Sequence, residues 1–163
     1  MKLNRRTLNI ALAAASLGGL LPATALAQKK IVLGFSQVGA ESEWRTANTE
    51  SIKSSAKEAG IELKFSDAQQ KQENQIKAIR SFIAQKVDVI AFSPVVESGW
   101  ETELREAKAA KIPVVLTDRA VNTKDDSLYV TFMGSDFVEE GRKAGRWVGQ
   151  KMKDQKGEVN IVE

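Results

Sequence analysis

The chain has 163 residues, with 24 lysines and arginines against 21 aspartates and glutamates, and it contains neither cysteine nor histidine. The lack of cysteine excludes disulfides and a thiol nucleophile, and the lack of histidine excludes the usual imidazole base and zinc-ligand chemistry. Phosphate-loop, dinucleotide-loop and nucleophile-elbow motifs are missing as well, so we expect a protein that is not an enzyme and that uses no cofactor and no metal.

Residues 1–27 predict a cleavable export signal. Lys2, Arg5 and Arg6 precede an apolar run over residues 8–21, and the tripeptide Ala-Leu-Ala at 25–27 matches a small-x-small cleavage site. The apolar run is shorter than the roughly 20 residues that a membrane span needs. An uncleaved anchor is the alternative, and the arginine pair also resembles a twin-arginine signal.

Removal of that segment changes the charge balance. The three basic residues of its head account for the whole excess of positive charge, so the mature chain has 21 groups of each sign. A formally neutral chain lacks the excess of basic residues that attracts a phosphate backbone. We therefore expect no nucleic-acid partner.

Beyond residue 30, short apolar runs rich in β-branched residues alternate with amphipathic helical patterns. The predicted strands cover 31–36, 61–65, 87–93, 112–117, 128–134 and 158–163. Four helices are predicted: one that ends at Gly60, one over 72–85, one over 100–110, and one from Ser135-Asp136 to about Lys153. Near-continuous apolar runs indicate strands that are covered on both faces. The alternation predicts βαβ units with right-handed crossovers, and so an α/β fold with a parallel sheet flanked by helices.

Three local signals refine this prediction. Gly60 supplies a left-handed stop for the first helix, and Asp136 with Ser135 forms a good cap for the last. The polar stretch 69–74 is expected to start the second helix, with Ser66 or Asp67 helping to cap it. Trp100 lies on the apolar face of the third helix and is expected in the core.

Ligand sites in parallel α/β sheets lie in the loops that leave the carboxyl ends of the strands. The loop after the first strand carries Glu41, Trp44 and Arg45, and the loop after the fourth carries Asp118 and Arg119. Carboxylates and guanidinium groups offer paired, charge-assisted hydrogen bonds to vicinal hydroxyls. An indole gives a flat face for a sugar ring, so the two loops together contain the kinds of group that a carbohydrate pocket uses.

Each of these residues also has a purely structural interpretation. Trp44 is a possible packing anchor, Asp118 a possible partner of Arg119 or cap of its turn, and Arg45 a possible solvated surface charge. Glu41 and Asp118 would supply a carboxylate pair for glycoside hydrolysis, but nothing in the sequence sets their separation. From the residues alone, only a small-molecule site in an exported α/β protein is supported.

Three segments, 33–47, 67–101 and 112–119, resemble periplasmic sugar-binding proteins of ABC transporters, of the ribose- and galactose-binding type. The stretches QVGAESEWR at 37–45 and DAQQKQENQ at 67–75 are the most specific part of the resemblance. It implies a type I periplasmic binding protein fold and a galactofuranose-like monosaccharide as ligand. The partners it implies are a membrane permease and its ATPase in the transporter.

The resemblance also implies roles for particular residues. Residues 41–45 (Glu41, Ser42, Glu43, Trp44 and Arg45) would form the first cleft loop, with the indole against the sugar ring and the guanidinium group on its oxygens. Asp118 and Arg119 match an Asp-Arg pair that grips ring hydroxyls. Ser36 and Ser93 are weaker candidates at the cleft edge, and Lys86 stands where relatives often carry glycine.

The resemblance predicts two lobes that close on the sugar. Residues 28–127 would form the first lobe, and 128–163 the hinge crossing and the start of an incomplete second lobe. The leading hypothesis is a solute receptor that captures a sugar in the periplasm and delivers it to the permease. A chemotaxis or sensor-kinase receptor is the alternative, followed by a transcriptional regulator and, last, an exported glycosidase.

This division generates a first prediction. Because the second lobe would supply half of the cleft and 158–163 would be an unpaired edge, residues 28–163 are expected to aggregate or to bind sugar very weakly. Calorimetric titration with sugar measures this directly. Micromolar affinity would contradict the half-cleft interpretation.

Overall fold

The computed structural model describes residues 29–158 and 160. The predicted export signal and most of the predicted strand over 158–163 lie outside the described residues. Within them, no helix is both long and apolar enough to cross a membrane.

Strands and helices alternate along the described chain as the apolar pattern predicts. The strands are β1 Val32–Gln37, β2 Glu62–Asp67, β3 Val89–Phe92, β4 Val114–Asp118 and β5 Thr131–Gly134, and the helices are α1 Glu43–Glu58, α2 Gln72–Ala84, α3 Glu101–Ala109 and α4 Phe137–Met152. The last strand begins later than predicted because Asp126–Leu128 forms a short 3-10 turn. The α/β assignment is confirmed.

All five strands join one parallel sheet in the order β2-β1-β3-β4-β5. The direction of winding reverses at β1. Right-handed crossovers therefore place α1 on one face of the sheet and α2 and α3 on the other. A sheet wound in this way has its ligand crevice at the carboxyl ends of the strands.

The hydrophobic core lies between the sheet and the α2–α3 layer. Phe92 and Trp100 stack at a tilt with ring centroids 5.1 Å apart, and the Trp100 indole N–H donates to the Val96 carbonyl at 2.7 Å. The indole is only 2% exposed, so the predicted core position is confirmed. The other large members of the cluster are Ile79, Phe82, Val87, Ile90, Leu104, Ile112, Val114, Leu116 and Leu128.

Helix ends follow the predicted signals in two places and depart from them in a third. Gly60 has φ +68°, and Asp136 caps α4 by accepting from the Glu139 N–H at 2.9 Å. The predicted cap of α2 is wrong, because that helix starts at Gln72 without a side-chain cap. Asp67 closes the preceding turn instead, accepting from the Gln69 N–H at 2.7 Å.

Two lysines take the left-handed conformation that glycine favours. Lys86 follows α2 with φ 53°, and Lys111 follows α3 with φ 60°. A left-handed residue with a β-carbon crowds the following carbonyl, which costs roughly 1–2 kcal/mol. Both helices therefore end by the same strained turn.

We predict that Lys86→Gly raises the free energy of unfolding by up to about 1 kcal/mol, because glycine adopts this conformation without a steric penalty. Urea denaturation of the full chain measures the change. Gln85→Gly is the matched control, since the preceding residue has φ −78° and glycine relieves nothing there. Equal effects of the two substitutions would contradict the strain at position 86.

Candidate functional site

A cavity of about 1040 Å³ opens at the carboxyl edge of the sheet. Its wall comes from the loops that follow β1, β3, β4 and β5. The lining residues are Glu41, Ser42, Trp44, Arg45, Glu97, Asp118, Arg119, Ala120, Phe132, Gly134, Ser135, Asp136, Phe137 and Val138. The crevice predicted from the sheet topology is therefore present.

The first loop enters the cavity as the N-terminus of α1. Ser42 has an extended backbone, and its hydroxyl accepts from the Arg45 N–H at 3.2 Å, which caps the helix. This cap fixes the direction in which the first turn presents its side chains. The Trp44 side chain remains 54% exposed, so the indole is not a packing anchor of the core.

Arg45 is buried, with 4% of its surface exposed. Its Nη1 lies 2.7 Å from Asp118 Oδ2, and its Nε donates to Glu41 Oε1 at 3.3 Å. The guanidinium carbon lies 4.7 Å from the centroid of the Trp44 ring, in cation–π contact. The solvated-charge interpretation of Arg45 is therefore wrong: the side chain sits between two carboxylates and an aromatic face.

The contact between Arg45 and Asp118 is ionic, without hydrogen-bond geometry. Arg45 Nη1 and Asp118 Oδ2 are both buried and have no hydrogen-bond partner among the described residues. Buried polar atoms are normally hydrogen-bonded, and those that are not mark places of chemical interest. The two atoms therefore face each other inside the wall, and the ion pair holds the first turn of α1 against the turn after β4.

Asp118 adopts a left-handed backbone conformation, with φ 64°. The next N–H, from Arg119, donates to the Thr117 carbonyl at 2.7 Å, which makes a three-residue turn at the end of β4. Such strain persists only where the surroundings hold it, and it concentrates at functional sites. Aspartate is among the non-glycine residues that tolerate this conformation best.

Arg119 reaches the wall from the same turn. Its Nη1 donates to the Val95 carbonyl at 3.3 Å, while its Nε is 3.8 Å from Asp118 Oδ2. The aspartate is therefore closer to Arg45 than to its sequence neighbour, and the predicted local pairing is the weaker of its two ionic contacts. Arg119 remains partly exposed to the cavity.

The loop that follows Arg119 is tied to α3. Thr123 Oγ1 donates to Glu101 Oε1 at 2.8 Å. This hydrogen bond, followed by that from Arg105, lowers the pKa of the Glu101 carboxyl below its usual value. The ionised carboxylate thus anchors the loop between β4 and β5.

Six of the seven residues predicted for the site line this one cavity. Glu43 does not; it lies on the outer side of the first turn, in a shallower depression of about 530 Å³. Ser36 and Ser93 are fully buried and are not lining residues. The Ser93 hydroxyl donates to the Thr117 carbonyl at 2.9 Å and so joins β3 to β4.

The β5–α4 junction contributes to the cavity although its residues were not predicted as site residues. Phe132, Gly134 and Phe137 line the cavity together with Glu97. Residues 134–136 leave the carboxyl end of a predicted strand, as the other site loops do, and this position is a signal for a site. They contain neither an Asp-Arg pair nor a tryptophan, so their composition does not indicate sugar binding.

The fold and the cavity together define a type I periplasmic binding protein. Residues 33–163 match the family described as periplasmic binding protein domain, and the chain belongs to this family. It is 52% identical over 133 residues to the galactofuranose-binding protein YtfQ of Escherichia coli, a match that covers 82% of this chain and 41% of YtfQ.

Solved structures agree with this assignment. A protein from Mycobacterium smegmatis in complex with β-D-fucofuranose has a TM-score of 0.77 and 65% identity, covering 80% of this chain and 43% of that one. The binding protein of the arabinose ABC transporter from Shewanella sp. ANA-3, bound to α- and β-L-arabinofuranose, has a TM-score of 0.72 and 61% identity, covering 75% and 40%. The chain spans less than half the length of each of these relatives.

We predict that Gly134→Ala destabilises the protein by about 1–3 kcal/mol, because the added methyl group would overlap its neighbours. A β-carbon at this position would meet the Phe132 ring and lie 2.6 Å from the carbonyl oxygen of Asp118, to which Gly134 is paired in the sheet. Urea denaturation measures the loss. Gly141→Ala on exposed α4, where nothing lies within 4 Å, is the control and should be neutral or stabilising. A neutral Gly134→Ala would contradict the close approach of β5 to Asp118.

Proposed function

We propose that this chain is part of a receptor that captures a monosaccharide in furanose form and delivers it to an ABC transporter. The observation that carries the proposal is the arrangement of Trp44, Arg45 and Asp118 on one wall of the cavity. Arg45 Nη1 and Asp118 Oδ2, buried and 2.7 Å apart, hold the two side chains together at the wall, while 18% of the Asp118 side chain stays exposed. Neighbouring hydroxyls of a sugar ring, each both donor and acceptor, suit a wall of carboxylate and guanidinium groups.

The indole supplies the apolar half of the recognition. Trp44 is 54% exposed at the cavity rim, while the Arg45 guanidinium group lies against its ring. The exposed part of the ring is free to pack on the C–H face of a sugar. In the proposed complex, Arg119 and Glu41 bind further ring hydroxyls, and Ser42 and Glu43 belong to the same loop with lesser roles.

The furanose form is inferred from relatives. YtfQ is described as a galactofuranose-binding protein, and the two solved relatives hold β-D-fucofuranose and L-arabinofuranose. A galactofuranose-like sugar is therefore the proposed ligand class. Binding without chemical conversion is the proposed activity, so the chain is not proposed to be an enzyme.

The proposed setting is the periplasm, after cleavage of the signal over residues 1–27, with a permease and its ATPase as partners. We further propose that residues 28–127 form one lobe, whose sheet β5 completes, and that the rest of 128–163 begins the crossing to a second lobe. The helices α1, α2 and α3 each have buried residues, whereas α4 has none. This contrast supports a division of the chain before α4.

Sugar titrations followed by NMR test the proposal, because they detect weak binding by the chain as it stands. The indole N–H signal of Trp44 is expected to shift as L-arabinose or D-galactose, both of which equilibrate with furanose forms, is added. The signals of Trp100 and Trp147 serve as internal references, since neither residue lines the cavity. Methyl β-D-galactopyranoside, which is locked in the six-membered ring, should leave the Trp44 signal unchanged.

Substitutions in the wall give the second test. Trp44→Ala and Asp118→Ala should each weaken sugar binding about tenfold or more, as the loss of a site contact worth about 1.4 kcal/mol does. Trp147→Ala, which removes an exposed indole outside the cavity, is the matched control. Unchanged binding by the first two variants, or an equal response to the locked pyranoside, would refute the proposal.

A further inference from the structure

Gln75 is a buried side chain with three hydrogen-bond contacts close to the cavity, although it does not line it. It lies in the first turn of α2 and is completely buried. Its Nε2 donates to the Ser93 carbonyl at 2.6 Å and lies 3.5 Å from the Ser36 carbonyl. Its Oε1 accepts from the Val95 N–H at 2.9 Å. One amide thus connects the carboxyl ends of β1 and β3 and the loop that follows β3.

The same loop holds Arg119. The Val95 N–H is bonded to Gln75, and the Val95 carbonyl accepts from Arg119 Nη1. Ser93 closes a second connection, because its carbonyl accepts from Gln75 and its hydroxyl donates to the Thr117 carbonyl, one residue before Asp118. Both routes lead from Gln75 to the charged turn after β4.

We propose that Gln75 is a positioning residue for the sugar site: it fixes the loop after β3 so that the Val95 carbonyl holds Arg119 at the cavity wall. This inference rests on the proposed function. The role requires an amide, because the position needs a donor toward Ser93 and an acceptor toward Val95 at the same time.

A glutamate side chain at position 75 would have the same shape as glutamine, but its hydrogen-bonding capacity would depend on pH. When protonated, it offers one donor and one acceptor and can replace the amide; when ionised, it only accepts, and it then faces the Ser93 carbonyl as a buried charge. The hydrogen-bond partners of Gln75 in the described residues are backbone groups, with no charged side chain among them. Burial raises the pKa of such a carboxyl, so Gln75→Glu should bind sugar at low pH and lose binding as pH rises through that pKa.

The experiment measures sugar affinity by NMR titration for wild type, Gln75→Glu and Gln85→Glu between about pH 5 and about pH 9, a range that spans the raised pKa of a buried carboxyl. The ratio of the Gln75→Glu dissociation constant to that of wild type should rise at least about tenfold across this range. The ratio for Gln85→Glu, which adds the same charge at the exposed end of α2, should stay constant. The Trp100 indole signal reports whether each variant is folded.

A second measurement needs no variant to fold. In wild type, the side-chain amide signals of Gln75 should shift when sugar saturates the site, because Arg119 is connected to them through Val95. Those of Gln85 should not shift.

Two results would overturn the positioning role and leave the proposed function standing. The first is a ratio of dissociation constants that does not change with pH for a folded Gln75→Glu. The second is a wild type that binds sugar without a shift of the Gln75 side-chain amide signals. A soluble wild type whose Trp44 and Gln75 signals do not shift even at the highest sugar concentration overturns both.

Discussion

The site depends on one buried ion pair. Arg45 from the first turn of α1 and Asp118 from the end of β4 meet at 2.7 Å, although β3 lies between β1 and β4 in the sheet. Burial of an unpaired charge costs several kcal/mol, so each of the two residues is tolerated where it is because the other is there. Glu41 and Trp44 then complete the surroundings of the guanidinium group.

Charged side chains of both signs line the wall. Four carboxylates (Glu41, Glu97, Asp118 and Asp136) stand against two guanidinium groups (Arg45 and Arg119), so the lining has a formal charge of −2. An excess of carboxylates disfavours an anionic ligand, and the charged groups offer directional hydrogen bonds to the uncharged sugar of the proposed function. The strained backbone at Asp118 is held on one side by β5 and on the other by the loop that Gln75 fixes.

The sheet was predictable because continuous apolar runs and helical patterns alternate, and the position of the cavity followed from the parallel topology. The burial of Arg45 was not predictable, because it depends on Asp118, a partner distant along the chain that no local pattern identifies. At Lys86 and Lys111 the position of the helix end was predictable, but the left-handed conformation is taken by lysine and not by glycine. Asp67 was assigned to a helix cap because sequence spacing does not distinguish a cap from the turn before it.

A double-mutant cycle on Arg45 and Asp118 tests the central claim most directly. The free energies of unfolding of Arg45→Met, Asp118→Asn and the double variant are compared with wild type; asparagine tolerates the left-handed backbone, so only the charge is removed. The account predicts a coupling energy of at least about 1 kcal/mol, because each single variant leaves a charge that has lost its nearest partner. Additive effects within about 0.5 kcal/mol would show that the two residues are not coupled and would contradict the account.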